Sequence, residues 1–199
     1  MTNVTWTNIT NGTASSNILT LNAASNWNSR AQSTEQSLQR GDDISYTIAN
    51  GSYWVVGLGH DPFGTNDSEV EYAFYMSPSG LTIYENGTKA FPSSGYITGY
   101  NSAGPYEIEI SSTGDVIYKI NNTTIFTSTN NWASTSNGYL HAVSYQNAVS
   151  VTGYYTKNSG GSGGGGSGGG EEEEEETTPI PGEAPIIEHI LYLNTRVPK

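Results

Sequence analysis

From Ile44 onward the chain alternates apolar and polar positions with period two, the pattern of strands with one buried face. Ile44, Tyr46 and Ile48 share a face, Asn50-Gly51 turns the chain, and Trp54, Val56 and Leu58 form the next inward set. Val70, Tyr72, Phe74 and Met76 then point one way and Glu69, Glu71, Ala73 and Tyr75 the other, which predicts one core face and one solvent face. Ser77 to Gly80 turns into Leu81 to Glu85, and Asn86-Gly87 is a two-residue hairpin signal before Thr88 to Phe91. After a Gly/Ser/Tyr-rich loop over 92–105, Tyr106, Ile108 and Ile110 alternate with Glu107 and Glu109. Thr113 to Asp115 turns into Val116, Tyr118 and Ile120, and Asn121-Asn122 turns into Thr124 to Thr127. Leu140 to Tyr145 and Val149 to Tyr155 close the series.

The opening segment is less regular. Trp6 to Asn28 mixes turn pairs with short apolar pieces such as Ile18 to Leu21, predicting edge strands and loops. Arg30 to Gln39 has poor helical spacing and is expected to be a strand leading to a turn at Arg40 to Asp43. About a dozen short strands at regular spacing predict an all-β, two-sheet antiparallel sandwich.

Composition supports that class, with 34% apolar and 13% charged residues in a chain rich in Tyr, Thr, Ser, Asn and Gly. It also divides the chain. Ser159 to Gly170 contains only Gly and Ser, and six glutamates follow over 171–176. Such a stretch has nothing to bury and should act as a leash with a root-mean-square span of about 25 Å. Three segments are expected: a sandwich over 1–158, a Gly/Ser and poly-Glu linker over 159–176, and a C-terminal docking peptide over 177–199.

The chain has no cysteine, which excludes disulfides, thiolate metal sites and a thiol nucleophile. The formal charge of −12 splits evenly between the first 158 residues and the rest, with no basic surface for nucleic acid. No apolar run approaches the ~20 residues of a membrane span, and the first residues lack the basic and apolar regions of a secretion signal.

The runs VEYAFYMSPSGLTIYENG and YEIEISSTGDVIYKINNTTIFTST, with NWNSRAQSTEQSLQRGDDISYTI before them, resemble the concanavalin A-like jelly-roll domains of bacterial surface proteins and viral particles. The resemblance spans roughly Trp6 to Tyr155. It implies a jelly-roll fold that is often lectin-like. The same fold also includes glucanases, whose catalytic strand carries two glutamates with an aspartate between them. Here Glu69 and Glu71 share a strand face ~7 Å apart, between retaining and inverting separations, but the third acid is missing. Both are ordinary for a solvent face, so the chain is expected not to be an enzyme.

Binding chemistry is the better expectation. Sugar rings stack their C–H faces on aromatic rings while Asn and Asp bind hydroxyls. Tyr96, Tyr100, Trp132 and Tyr139, with Asn101, Asn131 and Asn137 beside them, are the glycan candidates, set against a reading in which Trp132 is core and the tyrosines plug sheet ends. Asp61, Asn66 and Asp67 form a weaker Ca²⁺ candidate, since hard cations take such oxygen ligands and turns use the same residues. No cofactor is otherwise expected. His60, His141 and His189 lack metal-ligand spacing.

Beyond the leash, Ile186, Ile187, Ile190, Leu191 and Leu193 make a run that wants a partner, as an added strand or a short helix. The expected whole is a lectin-like module anchored by this peptide to an assembly protein, on a virion exterior or extracellular appendage. Its expected ligand is a glycan, and a homo-oligomer is compatible with it. The alternative is a structural decoration that binds no sugar.

Overall fold

The computed structural model describes residues 1–22, 27–34, 38–49, 53–60, 70–98, 104–133, 138–145 and 148–157. These form fifteen strands: β1 (Thr2–Asn3), β2 (Trp6–Thr10), β3 (Gly12–Ser15), β4 (Ile18–Leu21), β5 (Ser29–Ser33), β6 (Asp43–Ala49), β7 (Trp54–Gly59), β8 (Tyr72–Ser77), β9 (Gly80–Glu85), β10 (Thr88–Phe91), β11 (Tyr106–Ile110), β12 (Asp115–Ile120), β13 (Thr123–Asn131), β14 (Tyr139–Ser144) and β15 (Val149–Thr156). Every pairing is antiparallel, and the strands make two sheets.

The eight-stranded sheet runs β13-β12-β11-β6-β15-β4-β3, with β1 beside β15. The seven-stranded sheet runs β10-β9-β8-β7-β14-β5-β2. Neighbours such as β6 and β15, or β7 and β14, are far apart in sequence, so long crossings between the sheets build the jelly roll.

The tight connections follow turn chemistry. Asn86 and Gly87 both have positive φ (49° and 71°), the geometry of a two-residue hairpin between β9 and β10. Asn121 and Asn122 repeat it between β12 and β13 with φ of 52° and 62°.

The core lies between the sheets, as the alternation predicts. Ile44, Tyr46 and Ile48 of β6 face Trp54, Val56 and Leu58 of β7, all buried. Tyr46 stacks on Tyr106 at 5.6 Å, and its hydroxyl donates across the sandwich to the carbonyl of Val56 at 2.8 Å. Burial raises the Tyr46 phenol well above its ordinary pKa, with a further push from Tyr106, so it stays a donor. Each fully buried ring contributes roughly 2–3 kcal/mol of apolar burial.

Two expectations change. Of the strand predicted from Arg30 to Gln39, the described residues show β5 ending at Ser33 and a separate bridge from Leu38 to Gly138. The face of β8 predicted to meet solvent does so only in part: Tyr75 is half-buried but Ala73 is fully buried, and Val70, predicted on the core side, packs with Ala73, Val55 and Val143 instead. Val70 precedes the regular strand, so the strict alternation does not extend to it.

Candidate functional site

What covers that outer face is aromatic. Trp27, Tyr53 and Tyr145 meet over it, with ring centroids 5.7 Å (Trp27 and Tyr53), 5.1 Å (Trp27 and Tyr145) and 5.0 Å (Tyr53 and Tyr145) apart. Tyr75 joins Trp27 at 5.9 Å, and Tyr84 continues the line from Tyr75 at 4.7 Å. All five are half-buried, standing on or beside the small apolar cluster of Val55, Val70, Ala73 and Val143.

Strand register fixes this arrangement. Arg30, Val143, Val55, Tyr75 and Thr82 lie opposite one another across β5, β14, β7, β8 and β9, so their side chains share a face. Two residues along, Gln32, His141, Gly57, Ala73, Tyr84 and Lys89 form the next row, ending on β10. Tyr96 extends the strip at the β9 edge. Lys89 Nζ sits 5.3 Å from the Tyr96 ring centroid and donates to the Gly95 carbonyl at 2.5 Å. Tyr96 lies over Gly80, where a Cβ would come within 2.8 Å of the Tyr96 Cβ.

Of the glycan candidates, Tyr96 is thus exposed, at 43%, at one end of this strip. Asn131 is the exposed last residue of β13, paired with Asp115. Trp132 is fully buried and offers no stacking face; its ring packs on His60 at 4.0 Å, and its carbonyl accepts two bonds from Arg40. Tyr139 is buried at the same end, opposite Gly59. That end is about 17 Å along the strands from the Tyr96 end, so the structure does not unite these residues in one groove. Tyr100, Asn101 and Asn137 lie outside the described residues, as do Asp61, Asn66 and Asp67 and the anchor positions 186–193.

Sequence reasoning looked for aromatics in loops and missed those on the sheet. The signal was present: Tyr75 and Tyr84 hold outward positions on adjacent strands, and Trp27, Tyr53 and Tyr145 each stand in sequence close to an asparagine, a turn-forming residue type.

The acid of the would-be catalytic strand is otherwise engaged. Glu71 accepts the backbone N–H of His60 at 3.0 Å and contacts the imidazole Nδ1, while Glu69 lies outside the described residues. Among the described residues no group of three or more His, Asp or Glu is placed to hold a metal ion.

No family model matches the chain, and no curated protein sequence matches it. Solved structures do match. The sandwich is similar to the TRIM65 PSpry domain at 10% identity, covering 75% of this chain and 90% of that one with a TM-score of 0.55. It is similar to stonustoxin at 11% identity and a TM-score of 0.54, over 76% of this chain but 27% of that one. The exoplasmic/lumenal domain of VIP36, in a Ca²⁺/Man-bound form, matches at 9% identity over 75% of this chain and 82% of that one, with a TM-score of 0.51. The fold is the concanavalin A-like jelly roll. At these identities the likeness is of fold alone. No helix among the described residues is long and apolar enough to cross a membrane.

Proposed function

We propose that the chain is a non-enzymatic, lectin-like module that binds carbohydrate on the outer face of its seven-stranded sheet. The observation that carries this reading is the strip formed by Trp27, Tyr53, Tyr75, Tyr84 and Tyr145. An antiparallel sheet that faces water is ordinarily polar on that side, and clustered half-exposed rings mark a surface that meets something. Aromatic faces suit the C–H faces of sugars. The jelly-roll likeness to a Man-bound domain agrees with the reading.

Display from a larger assembly, outside a cell or on a virion, through Ile186 to Leu193 belongs to the same proposal. So does a Ca²⁺ ion held by Asp61, Asn66 and Asp67, whose oxygen chemistry fits a hard cation.

The test is glycan-array binding of the full chain beside its Trp27→Ala and Tyr75→Ala variants. Binding that falls at least tenfold in both variants, with folding retained by circular dichroism, supports the site. A full chain that binds no glycan overturns it and leaves the structural decoration role.

A further inference from the structure

The strands of the two sheets divide the charge unequally. On the eight-stranded sheet, Asp43, Glu107, Glu109 and Asp115 occur with a single cation, Lys119. Lys119 bridges Glu107 at 2.7 Å and also contacts Glu109. The seven-stranded sheet carries one carboxylate, Glu85, and it turns inward to accept bonds from Tyr118, Ser128 and Asn130. Its outer face holds two cations, Arg30 in the row of Val143, Val55 and Tyr75, and Lys89 beside Tyr84. Among the described residues the acid that flanks this side is Glu71, which lies beyond the strand and is tied to His60.

Resting on the proposed carbohydrate site, we infer that its ligand is an acidic oligosaccharide. A chain with a net charge of −12 would repel such a ligand from most directions. At physiological salt, however, fields fade over about 8 Å, and the carboxylates of the other sheet lie a sandwich thickness of about 10 Å or more away. Among the described strand residues, the charges on the strip itself are those of Arg30 and Lys89. Lys89 uses one N–H on Gly95 and keeps two further donors for an incoming carboxylate or sulfate.

The spacing sets the ligand's size. Arg30 on β5 and Lys89 on β10 are five strand spacings apart, about 24 Å, with the rings between them. One sugar ring cannot reach both, whereas a chain bearing several anionic groups can engage both ends while its sugars stack on the rings.

The probes are the hexamer of 1,4-linked galacturonic acid with its methyl-esterified counterpart, and sialyllactose with lactose, titrated calorimetrically into the full chain. In the expected result the charged hexamer binds at least tenfold tighter than its ester. That advantage falls with added salt and shrinks in Arg30→Gln and Lys89→Gln, while Trp27→Ala weakens both forms. Equal binding of charged and neutral forms overturns the acidic ligand and leaves the carbohydrate site standing. Sialyllactose binding as tightly as the charged hexamer refutes the two-ended engagement. If no probe binds, both the inference and the site reading fail.

Discussion

Glu85 is the most exposing test of how the two sheets are joined. Its carboxylate enters the interior from β9 and accepts three bonds: from the Tyr118 hydroxyl at 3.1 Å, the Ser128 hydroxyl at 2.9 Å and the Asn130 amide at 2.8 Å. Tyr118 and Ser128 belong to β12 and β13 of the opposite sheet, and both are buried. Burial, then the Glu85 charge, raises the Tyr118 phenol well above its ordinary pKa, so it remains a donor. In Glu85→Ala, Tyr118 and Ser128 lose their acceptor inside the protein, while exposed Asn130 turns to water. Two buried donors left unmet at about 1–3 kcal/mol each, plus lost packing, give about 3–5 kcal/mol of destabilisation. That corresponds to a Tm roughly 10 °C lower for a domain of this size. Glu85→Gln should be milder, about 1 kcal/mol, because its carbonyl still accepts two bonds and the Tyr118 hydroxyl can rotate to accept from the amide. Urea denaturation of the full chain followed by tryptophan fluorescence measures both. An Ala variant within 1 kcal/mol of the parent, or a Gln variant as damaged as the Ala variant, would refute the accounting by unmet donors.

Two further outcomes follow from the same geometry. Burial first, and then the charge of Glu107, raises the Asp43 carboxyl above its ordinary 3.8, so its ionised form is disfavoured in the folded state and stability drops as pH rises through the raised value. Asp43→Asn should therefore be at least as stable as the parent at pH 7, with the advantage vanishing below about pH 3.8, where Asp43 is protonated both folded and unfolded; a variant melting lower at pH 7 contradicts this. Gly80 has φ of 138° and Tyr96 stands where its Cβ would be, so Gly80→Ala should destabilise by roughly 1–3 kcal/mol and shift Tyr96, which an unchanged thermal melt would disprove.

Much of the fold was legible because period-two patterning is a local property. The alternations in β6, β11 and β12 named their inward residues, and Asn86-Gly87 named its hairpin, because a two-residue turn with positive φ favours those side chains. The candidate site was legible only in part. Tyr96 was found in the sequence, but its neighbours Gly80 and Lys89 come from β9 and β10, and Trp27 and Tyr145, which meet on the same strip, are far apart in sequence. Trp132 was chosen as an aromatic beside asparagines, yet Tyr72 of β8 and His60 just past β7 pack against it, and no local pattern records that.

By itself the sequence determined that this is an all-β sandwich in an acidic, cysteine-free chain with a Gly/Ser and glutamate run after it, since composition and periodicity act over neighbouring residues. Only the tertiary structure decided which face of which sheet is aromatic and which is acidic. Those rows form across strands distant in sequence, and a side chain's face is set by its partners' register as much as by its own position.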